Sequence, residues 1–336
     1  MNNKISFIQL DLLSEYISLE FLVLNNNNLT DGAVEGAFEG MQTLTRLYMD
    51  ENYLSSIPAD LPPTLQELRL NNNNITHMSK LAFAQCVGLK SISLNNNSIT
   101  DESVVEGPFK DLKHLQIMHI NYNFLETVPS NITMSLKELH LKGNRITSIP
   151  DDVFDTTAEL QVLNLSHNKI INEKIRKKAF YYMIKLEHIN LGYNNLSSVP
   201  KRLPQSLKTM LFEGNSIMYI KKGSIRHLIN LEQVNFSNNK ITAVAASAFK
   251  GLSSLRHLDI SNNQLTEVPR QLPLTLQTAF LYNNHIDSVP RDSFCRKQRT
   301  ESHLILVRLE GNKISNSNID VTSLRCLRGY QVAYFY

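Results

Sequence analysis

Glycine and proline are scarce, at 12 and 11 of 336 residues, which excludes a collagen-like repeat and a low-complexity disordered chain. No apolar run of about 18 residues occurs, so a membrane span is not expected. Asp11 and Glu15 fall where an export signal needs an unbroken apolar core, so no such signal is visible. Three cysteines are too few for a dense disulfide scaffold. A net charge of +3 permits contact with a polyanion without indicating one. Nucleophile-elbow, phosphate-loop and paired metal-ligand motifs are missing, which argues against an enzyme. His119, His140 and His167 have no cysteine or carboxylate to complete a zinc set, so no metal or other cofactor is expected.

What the chain has instead is one pattern repeated from end to end. Leu160-Gln-Val-Leu163-Asn-Leu165-Ser-His-Asn168-Lys-Ile170 reads as a short strand of inward leucines followed by a turn at an asparagine. The same asparagine recurs at 27, 52, 73, 97, 123, 144, 168, 194, 215, 239, 263, 284 and 312. Each is preceded by an apolar triplet such as Leu65, Leu68 and Leu70, and followed two residues on by Leu or Ile. An asparagine buried at a turn can pair backbone groups of neighbouring repeats, so the amides are expected to stack as a ladder. One such unit cannot bury its apolar face alone and has to stack on copies of itself, which predicts an α/β solenoid: a parallel concave sheet, and a convex side of irregular, 3-10 or short helical segments.

Intervals between the asparagines run 25, 21, 24, 26, 21, 24, 26, 21, 24, 24, 21 and 28, a rotation of short and long repeats. Short repeats carry proline-bounded crossings, such as Val199-Pro200-Lys-Arg-Leu-Pro204, where fixed φ angles predict extended chain. Long repeats carry Ala-Phe-x-Gly segments, such as Ala248-Phe249-Lys-Gly251, where a tight helical turn is expected. Phe38, Phe83, Phe109, Phe154, Phe180, Phe249 and Phe294 recur in register and read as a core stripe. Cys86 occupies a slot filled elsewhere by Met41, Leu112 or Leu252 and reads as a buried, inert thiol.

The expected organisation is a truncated repeat at 1–18, repeats at 19–290, and a longer terminal repeat with a cap at 291–336. Asn3-Lys-Ile5 aligns with Asn239-Lys-Ile241, so the chain begins inside a repeat, and a cap with any export signal is expected upstream. At the other end the rhythm breaks between Cys295 and Cys326. These two either remain free thiols or bond, closing a loop of about 30 residues in an oxidising compartment.

The short-long-long rotation, the proline-bounded short repeats and the Phe294-Cys295 to Arg325-Cys326 ending together resemble the small leucine-rich proteoglycans of the extracellular matrix. The resemblance covers nearly the whole chain and implies a leucine-rich-repeat solenoid, a Cys295–Cys326 disulfide closing an "ear" repeat, secretion, and a concave face that binds collagen or another matrix protein in matrix assembly and cell adhesion. Thirteen repeats and a fragment exceed the usual dozen, which looks like the proteoglycan-like half of a longer matrix protein. The family's N-terminal four-cysteine cluster and acidic tyrosine-rich tail are missing, and no Ser-Gly dipeptide occurs to accept a glycosaminoglycan chain.

The outward slot of each strand assembles one column, from which Tyr48, Arg69, His119, His140, Asn190, Asp259 and Arg308 are the candidate partner contacts. Ordinary solvated face residues are the alternative for each. Sequons begin at Asn28, Asn74, Asn96, Asn131, Asn164, Asn195 and Asn235. Asn164 and Asn235 sit in the outward column, where the resemblance implies glycan acceptors. Basic runs at Lys174, Arg176, Lys177 and Lys178, and at Arg296, Lys297 and Arg299, could take heparin-like chains or simply be solvated. The competing classes are a receptor ectodomain, which needs a span beyond Tyr336, and an intracellular repeat adaptor, which would have reduced cysteines and bare sequons.

Overall fold

A computed structural model describes residues 3–79, 81–295, 302–327 and 333–335. The chain divides into two compact units, Met1–Asn168 and Lys169–Tyr336.

In the first unit seven three-residue strands pair in parallel and in sequence order: β1 (Phe21–Val23), β2 (Arg46–Tyr48), β3 (Glu67–Arg69), β4 (Ser91–Ser93), β5 (Ile117–His119), β6 (Glu138–His140) and β7 (Val162–Asn164). From β2 to β7 the central residue, such as Leu47, Leu68 or Met118, is buried, and its two neighbours point outward as a three-residue strand requires. Two short helices, α1 (Asp31–Val34) and α2 (Asp101–Val104), lie in the returning segments.

The second unit repeats the scheme with β8 (His188–Asn190), β9 (Thr209–Leu211), β10 (Tyr219–Ile220), β11 (Gln233–Asn235), β12 (Ala243–Val244), β13 (His257–Asp259), β14 (Thr278–Phe280), β15 (Leu306–Arg308) and β16 (Ala333–Tyr334). Strands β10 and β12 pair with each other and the rest form the main parallel sheet. Each unit is thus a parallel-strand solenoid in which strand, turn and return recur.

The asparagine ladder works as its chemistry requires. Asn144 is buried: its Nδ2 donates to Ile120 O at 2.9 Å and Leu141 O at 3.0 Å, and its Oδ1 accepts from Leu125 N at 3.1 Å. Asn73 and Asn263 make equivalent bonds in their own units. Each side chain therefore pairs backbone groups of two repeats where water cannot reach. The phenylalanine stripe is buried throughout, from Phe38 to Phe294, and Cys86 is buried with it. Burial pushes the Cys86 thiol up to about 11.

Every ladder asparagine is preceded by a residue with positive φ, including Asn26, Glu51, Asn72, Tyr122, Gly143, Tyr193, Gly214 and Gly311. Asparagine and glycine dominate this position because they adopt the left-handed region at least cost. At Gly143 a second reason applies: a Cβ there would lie 2.4 Å from Cδ1 of Tyr122, whose ring covers it.

A further set of polar struts follows the rotation of repeat lengths. Asp31 Oδ1 accepts from Ser55 N at 2.9 Å and Ser56 N at 3.2 Å. Asp101 Oδ1 does the same for Glu126 N and Thr127 N, and Asn172 Oδ1 for Ser197 N and Ser198 N. Each strut stands in a repeat of 25 or 26 residues and reaches into the following repeat of 21. At the next such junction the first repeat has only 24 residues and Ala243, which has no side-chain acceptor, stands at the strut position; there the backbone of β12 pairs with β10 of the preceding repeat.

Candidate partner-binding face

The outward face of the first unit's sheet consists of two columns, not the single one expected. Beside Tyr48, Arg69, His119 and His140 runs the column of residues two earlier in each strand: Phe21, Arg46, Glu67, Ser91, Ile117 and Glu138. The extra column follows from strand alternation over three residues, so the period of two was the available signal.

The columns interlock at their N-terminal end. Phe21 and Tyr48 meet edge to face with ring centroids 4.8 Å apart, the Arg46 guanidinium lies 4.5 Å over the Phe21 ring, and Arg69 lies 4.7 Å over Tyr48. Tyr48 donates its hydroxyl to Glu67 at 2.7 Å, and Arg69 pairs with the buried carboxylate of Asp50 at 3.1 Å. Burial, with the Glu67 bond next, pushes the Tyr48 hydroxyl above its ordinary value. Further along, His119 and His140 stack at 4.4 Å, and His140 Nε2 lies 3.4 Å from Glu138. Burial is the main cause that lowers the His119 pKa, followed by the neighbouring His140 charge; Arg69 acts the same way and Glu138 opposes.

A strut ladder missed in the sequence borders this face. Asn25 Oδ1 accepts from Asp50 N, Asp50 Oδ1 from Asn71 N, Asn71 Oδ1 from Asn95 N, Asn95 Oδ1 from Asn121 N and Asn121 Oδ1 from Lys142 N, at 2.7 to 2.9 Å. Asp50, the partner of Arg69, is itself a rung, so the cation is mounted on the frame. The runs Asn25–Asn28 and Asn71–Asn74 were the signal that more than one asparagine per repeat has a structural task.

In the second unit this ladder gives way to short local turns. Asn190 Oδ1 accepts from Gly192 N at 2.9 Å, Asn235 Oδ1 from Ser237 N at 2.9 Å, and Asp259 Oδ1 from Ser261 N at 2.9 Å and Ser261 Oγ at 2.6 Å. Asn190 and Asp259 thus shape their own turns. Between them Glu213 has an oxygen without a hydrogen-bond partner, and burial followed by the Asp259 charge raises its pKa. Arg308 lies 4.9 Å over the Tyr282 ring and bonds Glu310 at 2.9 Å.

The sequons fall into two groups. Asn28, Asn74, Asn96, Asn131 and Asn195 are exposed. Asn164 and Asn235 are half-buried, and Asn164 Oδ1 accepts from both Ser166 N, at 3.0 Å, and Ser166 Oγ, at 2.8 Å. The hydroxyl that makes the sequon is thereby engaged with its asparagine.

Cys295 and Cys326 form a disulfide, with Cα atoms 5.5 Å apart and a sequence separation of 31. Lys174, Arg176, Lys177 and Lys178 are exposed on the returning segment of the second unit. The Arg296, Lys297 and Arg299 run lies outside the described residues. Among the described residues no group of three or more His, Cys, Asp or Glu is arranged to hold a metal ion, and no helix is long and apolar enough to cross a membrane.

Repeat geometry and sequence comparison agree on the class. The Leucine rich repeat family model matches residues 63–125, 134–172 and 205–265. A chain from the octameric complex of Latrophilin 3, Unc5D and FLRT2 (LRR) superposes with a TM-score of 0.73 at 27% identity, covering 77% of this chain and 79% of that one. The protein is therefore a leucine-rich-repeat solenoid.

Podocan of Mus musculus is 32% identical over 330 residues, 97% of this chain and 53% of podocan. Lumican of Gallus gallus is 31% identical over 217 residues, 64% of this chain and 62% of lumican. Both relatives are small leucine-rich proteoglycans of the extracellular matrix, to which the chain is similar, and it spans between half and two thirds of their length.

Proposed function

We propose that the protein is a secreted matrix component whose first-unit sheet face binds collagen or another matrix protein, supporting matrix assembly and adhesion. One observation carries the reading: Phe21, Arg46, Tyr48 and Arg69 on β1 to β3, and the stacked His119 and His140 on β5 and β6, set aromatic rings and guanidinium groups on one parallel sheet face, on either side of the serines of β4. Aromatic and arginine side chains held in place lose little freedom on binding, which favours recognition of an extended protein surface. Collagen as the partner follows from likeness to the proteoglycan family. In the second unit Asn190, Asp259 and Arg308 are secondary contacts, since the first two already serve their turns. Glycans are assigned to the five exposed sequons ahead of Asn164 and Asn235.

Pull-down on fibrillar collagen with Arg69→Ala and His140→Ala tests the face. Loss of a central contact is expected to weaken binding about tenfold or more, equivalent to roughly 1.4 kcal/mol. Unchanged binding by both variants removes this face from the site. Expression in animal cells tests the setting: secretion with mobility shifts on glycosidase and on reductant is expected, and cytosolic retention without glycans overturns it.

A further inference from the structure

The small net charge conceals a strong separation of sign. Residues 1–168 contain 10 basic and 20 acidic side chains, whereas residues 169–336 contain 24 and 11. The excess is densest over 169–226, with twelve basic residues against Glu173, Glu187 and Glu213.

Packing fixes where these cations point. Ala179 and Phe180 are buried, and the preceding Lys174, Arg176, Lys177 and Lys178 are exposed. In the next repeat Pro200 and Leu203 are buried around exposed Lys201 and Arg202. In the third, Ile220 and Ile225 are buried around exposed Lys221 and Lys222, with Arg226 exposed beyond. The three segments are tied side by side: Asn172 Nδ2 donates to Ser198 O at 2.9 Å, and His227 Nε2 meets Leu203 O at 2.9 Å. Arg176, Lys177, Lys201 and Arg202 form no ion pair among the described residues. Tyr181 and Tyr182, both exposed and edge to face at 5.0 Å, flank the cations with rings that also bear hydroxyls.

We propose that the returning face of repeats 172–226 is a binding site for sulfated glycosaminoglycan, independent of the sheet face. A sulfated polysaccharide matches it on three counts: closely spaced negative charge opposite cations in three adjacent repeats, a linear chain able to cross those repeats, and sugar rings to lie against Tyr181 and Tyr182. The proposal needs only the extracellular setting of the function above and does not depend on collagen recognition.

Heparin affinity of the full chain tests it. The quadruple variant Arg176→Glu, Lys177→Glu, Lys201→Glu, Arg202→Glu should bind at least a hundredfold more weakly at 0.15 M salt, on the order of the loss of several polyanion contacts. Its slope of log affinity against log salt should fall by about 3, at roughly 0.7 per lost contact. Tyr181→Ala should weaken binding with the slope unchanged. Lys90→Glu with Lys113→Glu in the first unit should leave heparin binding as it was, and circular dichroism melting confirms that each variant is folded. Equal weakening by the first-unit pair, or no weakening by the quadruple variant, overturns the assignment. So does equally tight binding of desulfated heparin, of duplex DNA or of phosphatidylserine vesicles, or release by inorganic sulfate at low millimolar concentration.

Discussion

Replacing Asn144 by alanine isolates the contribution of one ladder rung. Its side chain pairs three backbone groups, but they are not equally dependent on it. Leu141 O also accepts from Asn168 Nδ2 at 2.9 Å and stays paired in the variant. Leu125 N and Ile120 O have no other recorded partner among the described residues, and Asn144 is only 5% exposed, so water does not replace it. Each stranded buried group costs about 1–3 kcal/mol, which places the loss near 4 kcal/mol. That is a large fraction of the roughly 5–15 kcal/mol that holds a domain folded. Urea denaturation followed by circular dichroism should show a lower midpoint with an unchanged m-value. Asn312, half-buried at the last rung, should lose about 1 kcal/mol or less on the same change. Asn144→Asp adds a check of sign. A carboxyl placed against two carbonyls has its folded pKa raised above the unfolded value of about 3.9, so stability should fall as pH rises from about 4 towards neutrality. A loss under about 1 kcal/mol for Asn144→Ala, or equal losses at Asn144 and Asn312, would refute the claim that the ladder stabilises by satisfying backbone groups water cannot reach.

Gly143→Ala should cost about 1–2 kcal/mol for its left-handed backbone plus a steric part from the Tyr122 ring, and adding Tyr122→Ala should restore only the steric part in thermal melts. His119, whose folded pKa lies below the unfolded value of about 6.5, should contribute stability at neutral pH that is lost as pH falls from 6.5 through its folded pKa; an NMR titration midpoint at or above 6.5 sinks this, and His119→Gln should remove the dependence. Cys86, held protonated by burial, should resist iodoacetamide at pH 8 in the folded protein and react once on unfolding without reductant, while reduction of Cys295–Cys326 should lower stability by about 3–4 kcal/mol for a loop of 31 residues.

The core was legible because its residues are chosen by period alone: Leu68, Phe83 and Asn73 recur at set offsets, and burial follows from stacking. The proposed partner face was half legible. Tyr48 and Arg69 could be placed outward by alternation, but their engagement with Glu67 and Asp50 depends on the strand register of adjacent repeats, which spacing in one repeat does not state. Asn164 shows the limit most clearly. Its outward position was readable, yet its carboxamide oxygen is turned onto the serine two residues on, a local bond that competes with display to solvent. The left-handed residue before each rung was readable in principle, since asparagine and glycine crowd that position.

The struts at Asp31, Asp101 and Asn172 bear on how such a chain can lengthen. Each joins a repeat of 25 or 26 residues to one of 21, and they stand 70 and 71 residues apart. Adding or deleting one repeat at such a junction sets a strut against a neighbour of the wrong length, and two backbone N–H groups lose their acceptor. Adding or deleting three repeats together leaves every strut with its partner. Duplication and loss in this lineage should therefore proceed in triplets, and an engineered chain extended by a triplet should keep its stability where a single-repeat insertion lowers it.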